Sequence, residues 1–268
     1  MGESLFLRTN FFNKMEFFPW KAARRGNLLF KPFTSLIISV LFFISPLIAQ
    51  EPQLNRYGLY VIKDLEAYWK SVINDSVKKL IELKSIIPGL VYDLKYATRK
   101  NFMGKKMYHG NSSSTFLRWE PARALVKIQE EAGKIGLGLK IFDAYRPFSV
   151  TEKFWELVKD ERYVANPSKG SAHNRGLAVD LTLIDLKSGK EIDMGTGFDN
   201  FTDTAHHSFQ QLSAPVLNNR HRLKRLMEEF GFRPVETEWW HYNWPDDHSY
   251  ELLDLSFKDL LRFHRKNN

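Results

Sequence analysis

The sequence predicts a single α+β domain, and three observations lead there. Amphipathic stretches of helical period are interspersed with short β-branched and aromatic runs, without the regular strand–helix–strand rhythm of a parallel α/β sheet. Hydrophobic residues make up 43% of the chain, with 21 Phe, 10 Tyr and 7 Trp, enough for a packed core. After residue 51 there is no internal repeat, low-complexity tract or Pro/Gly-rich linker, so 51–268 reads as one domain.

The elements follow in chain order. Leu59–Asn74 is apolar at helical spacing and predicts a helix. "IPGLVYDLKYAT" (Ile87–Thr98) opens on a Pro-Gly turn, then alternates, and predicts a strand. "EPARALVKIQEEAGKIG" (Glu120–Gly136) is strongly amphipathic, with Pro121 suited to a first turn and Gly136 or Gly138 to the end. "LKIFDAY" (Leu139–Tyr145) predicts a strand stopped by Arg-Pro, and Ser149–Lys159 a second helix. "GLAVDLTLID" (Gly176–Asp185) predicts a buried strand. Asn219–Phe230 predicts a further helix ended by Gly231, and the aromatic run "EWWHYNW" (Glu238–Trp244) a last strand.

The first fifty residues differ in composition from the rest. They carry six Lys or Arg against two Glu, and Phe33–Ala49 is free of charge. A basic stretch, an apolar run and a small residue at the end make a secretory signal, with Met15 an alternative start and Ala49 an imperfect cleavage point. The competing reading is an uncleaved anchor, although seventeen uncharged residues fall short of the roughly 20 that a spanning helix wants. The expectation is an exported protein of the bacterial periplasm, or one anchored in the membrane and facing the periplasm. Membrane contact is expected only through that segment, if it is retained.

Charge and cysteine content narrow the function. The formal net charge is +8, and beyond residue 50 it comes from 33 basic and 29 acidic residues with no basic cluster interleaved with aromatics. That excludes a phosphate-tracking surface, so no nucleic-acid partner is expected. The absence of cysteine excludes disulfides, zinc–thiolate sites, a cysteine nucleophile and a lipidated cysteine. A metal would have to be held by His, Asp or Glu. Oligomeric state is not legible.

Three segments carry candidate chemistry. In "SAHNRGLAVD" (Ser171–Asp180), Asp180 sits within an apolar run, where an unpaired carboxylate is costly. On an extended strand Ala178, Asp180 and Thr182 share one face, opposite Leu177, Val179, Leu181 and Leu183. Gly176 permits a bend that brings His173 back toward Asp180; the alternative is a turn histidine beside a capping aspartate. In "EWWH", Glu238 and His241 face opposite sides of a regular strand and share a site only if Glu238 stands at a bend. In "DAYRP", Arg146 lies at a loop mouth, as structural arginines also do. Together His173, Asp180 and His241 form an ordinary N/O ligand set for one zinc. A non-ligand carboxylate such as Glu238 suits a general base, and an arginine can steady a developing oxyanion.

The segments "SAHNRGLAVD" and "EWWH" match the SxHxxGxAxD and ExWH motifs, and the chain thereby resembles the zinc D,D-peptidases of the M15 family. The likeness is closer to the VanX-type D-alanyl-D-alanine dipeptidases. "YDLKYATRKNFMG", "DAYRP", "DMGTGFD" and "TAHH" fall in the same order as there, over roughly residues 85–257. The resemblance implies a Hedgehog/D,D-peptidase-like fold with a central, mainly antiparallel sheet flanked by helices. It implies that His173, Asp180 and His241 bind zinc, Glu238 is the general base and Arg146 stabilises the oxyanion. It also implies that Ser171 and Asp199 contact the substrate's ends, with Asp199 near the free amine.

The implied activity is hydrolysis of a small D,D-dipeptide, D-alanyl-D-alanine, to free D-alanine in cell-wall metabolism or glycopeptide resistance. The alternatives are a D,D-carboxypeptidase or endopeptidase on peptidoglycan stems, and a non-catalytic wall-binding domain. His206, His207, His221 and His248 lie outside the motifs' ligand positions and are expected to be structural or superficial.

Overall fold

A computed structural model describes residues 53–108 and 112–267. The signal or anchor predicted for residues 1–50 lies outside these. Among the described residues no helix is long and apolar enough to cross a membrane.

The centre is a five-stranded sheet in the order β3 (Val91–Tyr92), β5 (Leu137–Asp143), β6 (Ala178–Asp185), β8 (Glu238–Asn243), β7 (Arg233–Val235). Only β3 and β5 run parallel; β5–β6, β6–β8 and β7–β8 are antiparallel. Two small ribbons flank it: β1 (Val61–Ile62) pairs with β9 (Leu252–Leu253), and β2 (Leu80–Glu82) with β4 (Phe116–Arg118). This is the predicted α+β class with a mainly antiparallel centre.

Helix α2 (Trp119–Lys134) forms because its apolar residues recur at helical spacing: Pro121, Leu125, Ile128 and Ala132 are all buried. Gly136, at φ 75°, provides the left-handed residue that ends it. Helix α5 (Ala214–Glu229) presents Leu223 and Met227 to the same core. These meet Leu139 and Ile141 of β5 and Val179, Leu181 and Leu183 of β6. At roughly 1.5–3 kcal/mol for each large apolar side chain removed from water, this layer fixes which face of β6 turns inward. Asp180 is thereby assigned to the other face.

A second core joins α1 (Leu65–Asn74), α3 (Phe148–Leu157) and α6 (Phe257–Asn267) through Tyr68, Phe154 and Leu260. The structure shortens two predicted elements and lengthens one. The first helix starts at Leu65 rather than Leu59, because the Asp64 side chain caps it by accepting from Ala67 N. The strand expected over 87–98 narrows to Val91–Tyr92, since Lys95–Ala97 closes a 3₁₀ turn. Helix α5 begins five residues before the predicted Asn219, with Pro215 in its first turn.

Candidate active site

The site residues come from several separate stretches of the chain, and the order of the strands in the sheet brings them together. Asp180 stands in the middle of a row: Asp143 of β5 lies opposite it on one side and His241 of β8 on the other. The three side chains are cross-strand neighbours, at the spacing where directly opposed residues interact.

His173 arrives from the chain just before the strand. It sits in a one-turn helix, α4 (Ala172–Arg175), whose N-cap is Ser171. Ser171 Oγ accepts from His173 N at 3.2 Å, and the Asn174 side chain accepts from Ser171 N at 2.9 Å. Gly176 then adopts φ 72° and turns the chain into β6. A Cβ there would come within 2.6 Å of Leu80 Cδ2, so both the angle and the space demand glycine. His173 Nδ1 lies 2.6 Å from the Ala144 carbonyl, which can only accept, so Nδ1 carries the hydrogen. Its Nε2 is left bare, 3.4 Å from Asp180 Oδ2. Burial, with the charges of Arg146 and His241, holds this imidazole well below its usual range and keeps it neutral.

Glu238 and His241 do share a face, for a reason that period-two alternation conceals. In the β7–β8 pairing Pro234 is opposite Tyr242 but Val235 is opposite Glu238, so β8 bulges over residues 239–241. The bulge rotates Glu238 to the side of His241, and Oε2 reaches His241 Nδ1 at 3.0 Å. Trp239 and Trp240 are both buried beside it. Burial lowers the basicity of His241, but Asp180 and Glu238 more than offset this and carry it up to about 9. Burial also pushes the Glu238 and Asp180 carboxyls upward.

Arg146 is anchored by Asp143. Its Nε and Nη2 both lie 2.9 Å from Asp143 Oδ2, and Nη2 is 3.6 Å from Asp180 Oδ2. Its guanidinium faces the Tyr96 ring at 5.1 Å and the Phe154 ring at 4.8 Å. Asp199 projects from the loop after β6 at φ 59°, an unusual backbone for a residue other than glycine. Tyr96 donates to its Oδ1 at 2.8 Å, while its buried Oδ2 has no partner. Burial raises this carboxyl to about 8.

All seven predicted site residues (Arg146, Ser171, His173, Asp180, Asp199, Glu238, His241) line one small pocket walled by aromatic rings that include Phe102, Phe201 and Trp240. Ser171 does so while engaged as a helix cap. The donor set can be tested for a cation. His173 Nε2 and Asp180 Oδ1 are buried without a hydrogen-bond partner. One donor atom from each of His173, Asp180 and His241 lies within 4.8 Å of the others. The outer ring nitrogens are both occupied, His173 Nδ1 by Ala144 O and His241 Nε2 by Asn243 Oδ1 at 2.9 Å. Two imidazoles and a carboxylate so arranged fit a divalent ion of the zinc type.

Three contributors were not singled out in the sequence. Asp143 also accepts from the Tyr108 hydroxyl. Being a carboxylate in an apolar strand, it showed the same signal as Asp180. Buried Asn174 donates to Arg146 O at 2.9 Å and to Thr151 Oγ1 at 2.8 Å, tying α4 to the Arg146 loop. Asn243 gave no signal, since its contact depends on strand geometry. Of the extra histidines, His207 is packed near Tyr242, His206 approaches Tyr163 at the pocket's edge, and His221 and His248 are exposed. His248 gathers with Glu120 and Asp247 at the surface, but none of these lines the pocket.

A mixed sheet presenting Asp180 and His241, met by His173 from helix α4, with the non-ligand carboxylate Glu238 and a buried arginine beside them, defines a metallopeptidase-type hydrolase. The chain belongs to the M15 peptidase family, whose model, described as D-ala-D-ala dipeptidase, matches residues 76–260. It is similar to the D-alanyl-D-alanine dipeptidase of Escherichia coli (strain K12), with 37% identity over 68% of this chain and 93% of that protein. The enzyme of the same name from Enterococcus faecium is 35% identical over 60% of this chain and 88% of its own length. Among solved structures, the LdcB LD-carboxypeptidase aligns with a TM-score of 0.36 and 18% identity, over 70% of this chain and 73% of that one.

Proposed function

We propose that this protein is a zinc-dependent dipeptidase that hydrolyses D-alanyl-D-alanine to two molecules of D-alanine. What carries the reading is Glu238, whose carboxylate meets His241 Nδ1 at 3.0 Å on the rim of the His173–Asp180–His241 cluster. Similarity to dipeptidases over nearly the whole length of those enzymes supports the substrate.

His173 Nε2, Asp180 and His241 Nδ1 would hold the zinc. The ion supplies Lewis acidity toward the substrate carbonyl and toward water. Glu238 takes a proton from the attacking water as its oxygen bonds to the carbonyl carbon. It then hands that proton to the leaving amine as the C–N bond breaks. Arg146, held by Asp143, donates to the oxyanion as it forms. Asp199, ionising as the cation settles against it, receives the substrate's ammonium on its unpartnered Oδ2, which selects a free dipeptide over a long chain. Ser171 contacts the other end of the substrate.

Export to the periplasm, with the basic and apolar 1–50 segment as signal or anchor, is supported by its composition.

The test is an assay of zinc-loaded protein with free D-Ala-D-Ala and with a pentapeptide stem ending in the same pair, Glu238→Ala serving as control. Cleavage of the dipeptide alone, lost in the control, is the expected result. Cleavage of the stem moves the protein to the carboxypeptidases, and zinc binding without either cleavage leaves a wall-binding domain.

A further inference from the structure

The two histidines of the cluster are oriented in unlike ways. His173 offers Nε2 and is fixed through Nδ1 by a backbone carbonyl, Ala144 O, which no substitution removes. His241 offers the opposite nitrogen. Its Nδ1 faces Asp180 Oδ1 at 3.4 Å and Glu238 Oε2 at 3.0 Å, and its Nε2 points away to Asn243 Oδ1 at 2.9 Å. No other hydrogen bond to Nε2 is found among the described residues. The contact is possible because residues 241 and 243 are two apart on β8 and share a face. Antiparallel pairing to Asp180 and Ala178 holds both in register.

We infer that Asn243 is a positioning residue that selects the tautomer of His241, and so decides which nitrogen meets the metal. An amide oxygen can only accept, so it requires Nε2–H; when a metal displaces the Nδ1 proton, the lone pair left there is directed at the cluster. Without that acceptor the imidazole is free to carry its hydrogen on Nδ1, which removes the donor from the ligand set and places N–H between two carboxylates. The imidazole is also free to rotate. A neutral acceptor achieves the orientation without adding a further negative charge behind a cluster already rich in carboxylates. The inference rests on the metallopeptidase reading and deepens it, since it names the residue on which one ligand depends.

The test measures zinc affinity by competition with a chromophoric chelator in wild type, Asn243→Leu and Asn243→Asp. Leucine removes the acceptor at similar volume, whereas aspartate restores it. The expected result is a 10–100-fold loss of zinc affinity in Asn243→Leu, the range for such outer partners. Asn243→Asp should stay within a few-fold of wild type or bind tighter. A long-range ¹H–¹⁵N spectrum of the zinc-loaded wild type gives an independent readout. It should show His241 Nε2 protonated and Nδ1 without hydrogen. Zinc binding in Asn243→Leu equal to wild type, equal weakening in both variants, or an Nδ1–H tautomer in the spectrum would each overturn the inference. A wild type that takes up no zinc at all overturns the metal reading itself, which separates the two failures.

Discussion

Asp180 and His241 face each other directly across β6 and β8, with Asp180 Oδ1 3.4 Å from His241 Nδ1. A carboxylate in the interior of a strand buried on both sides is costly unless a positive group compensates it. Here the compensation comes from Arg146, from His241 and, on the proposed function, from zinc. Asp180→Asn keeps the shape and removes the charge. The expected outcome is protein that folds but no longer retains zinc after dialysis, read by metal analysis alongside circular dichroism.

Asp199 is expected to act on substrate rather than on the metal. Its Oδ2 is buried and unpartnered while Tyr96 fixes Oδ1. A hydrogen bond to a charged group is worth about 1.5–3 kcal/mol, so Asp199→Asn should lower kcat/KM for free D-Ala-D-Ala by roughly 10–100-fold. An N-acetylated dipeptide lacks the ammonium, and its slow hydrolysis should be unchanged by the substitution. Steady-state rates on the two substrates check this.

Asp143 holds the Arg146 guanidinium through two contacts and is fully buried. Removing one partner of a buried ion pair leaves the other charge uncompensated, which costs about 3–5 kcal/mol. Asp143→Ala should therefore lose stability on that scale in urea unfolding. It should also lose activity, because Arg146 is no longer aimed. Zinc affinity should fall far less than in Asp180→Asn.

Gly176→Ala tests the turn that delivers His173. The left-handed backbone and the approach of Leu80 both oppose a side chain there. A destabilisation of about 1–3 kcal/mol is expected from the backbone alone, measurable as a shift in denaturation midpoint. Zinc affinity should fall with it, since His173 sits three residues earlier in the same turn.

His207 gives a pH dependence outside the catalytic cluster. Burial, then the Lys224 charge, lowers its imidazole to about 4, against a usual 6.5. The native state thus holds it neutral while the unfolded chain takes up a proton first. Its contribution is fully present above pH 6.5 and is lost as pH falls from 6.5 through about 4, by up to about 3 kcal/mol. In His207→Gln the loss of stability over that window should be smaller than in wild type, as read from denaturation curves at several pH values.

The sequence disclosed those parts that depend on local period. Helix α2 and strands β5 and β6 were legible because their apolar residues repeat at 3.6 in the helix and alternate or cluster along the strands. The inward face of β6 followed from alternation, and with it the placing of Asp180 on the other face. Helix α4 was too short for any period to register. Helix α6 is amphipathic, and the period in its "FKDLLRFHRKN" is enough to disclose it. The convergence of Glu238 on His241 contradicts strict alternation and needs the β8 bulge, which is written in the pairing with β7 rather than in β8 itself. Asn243 was silent for a similar reason. Nothing in "HYN" tells which ring nitrogen points outward until β6 fixes the strand.

The bulged strand β8 has one more consequence. It supplies His241 some sixty residues after Asp180, so no contiguous piece of chain holds the complete donor set. On the proposed function, an unfolded polypeptide therefore competes poorly for zinc, and almost all of the binding free energy favours the native state. At free metal a thousand times above the dissociation constant, mass action adds about 4 kcal/mol to the unfolding free energy. The thermal midpoint should then rise and fall with free zinc, and a melting curve becomes a metal titration.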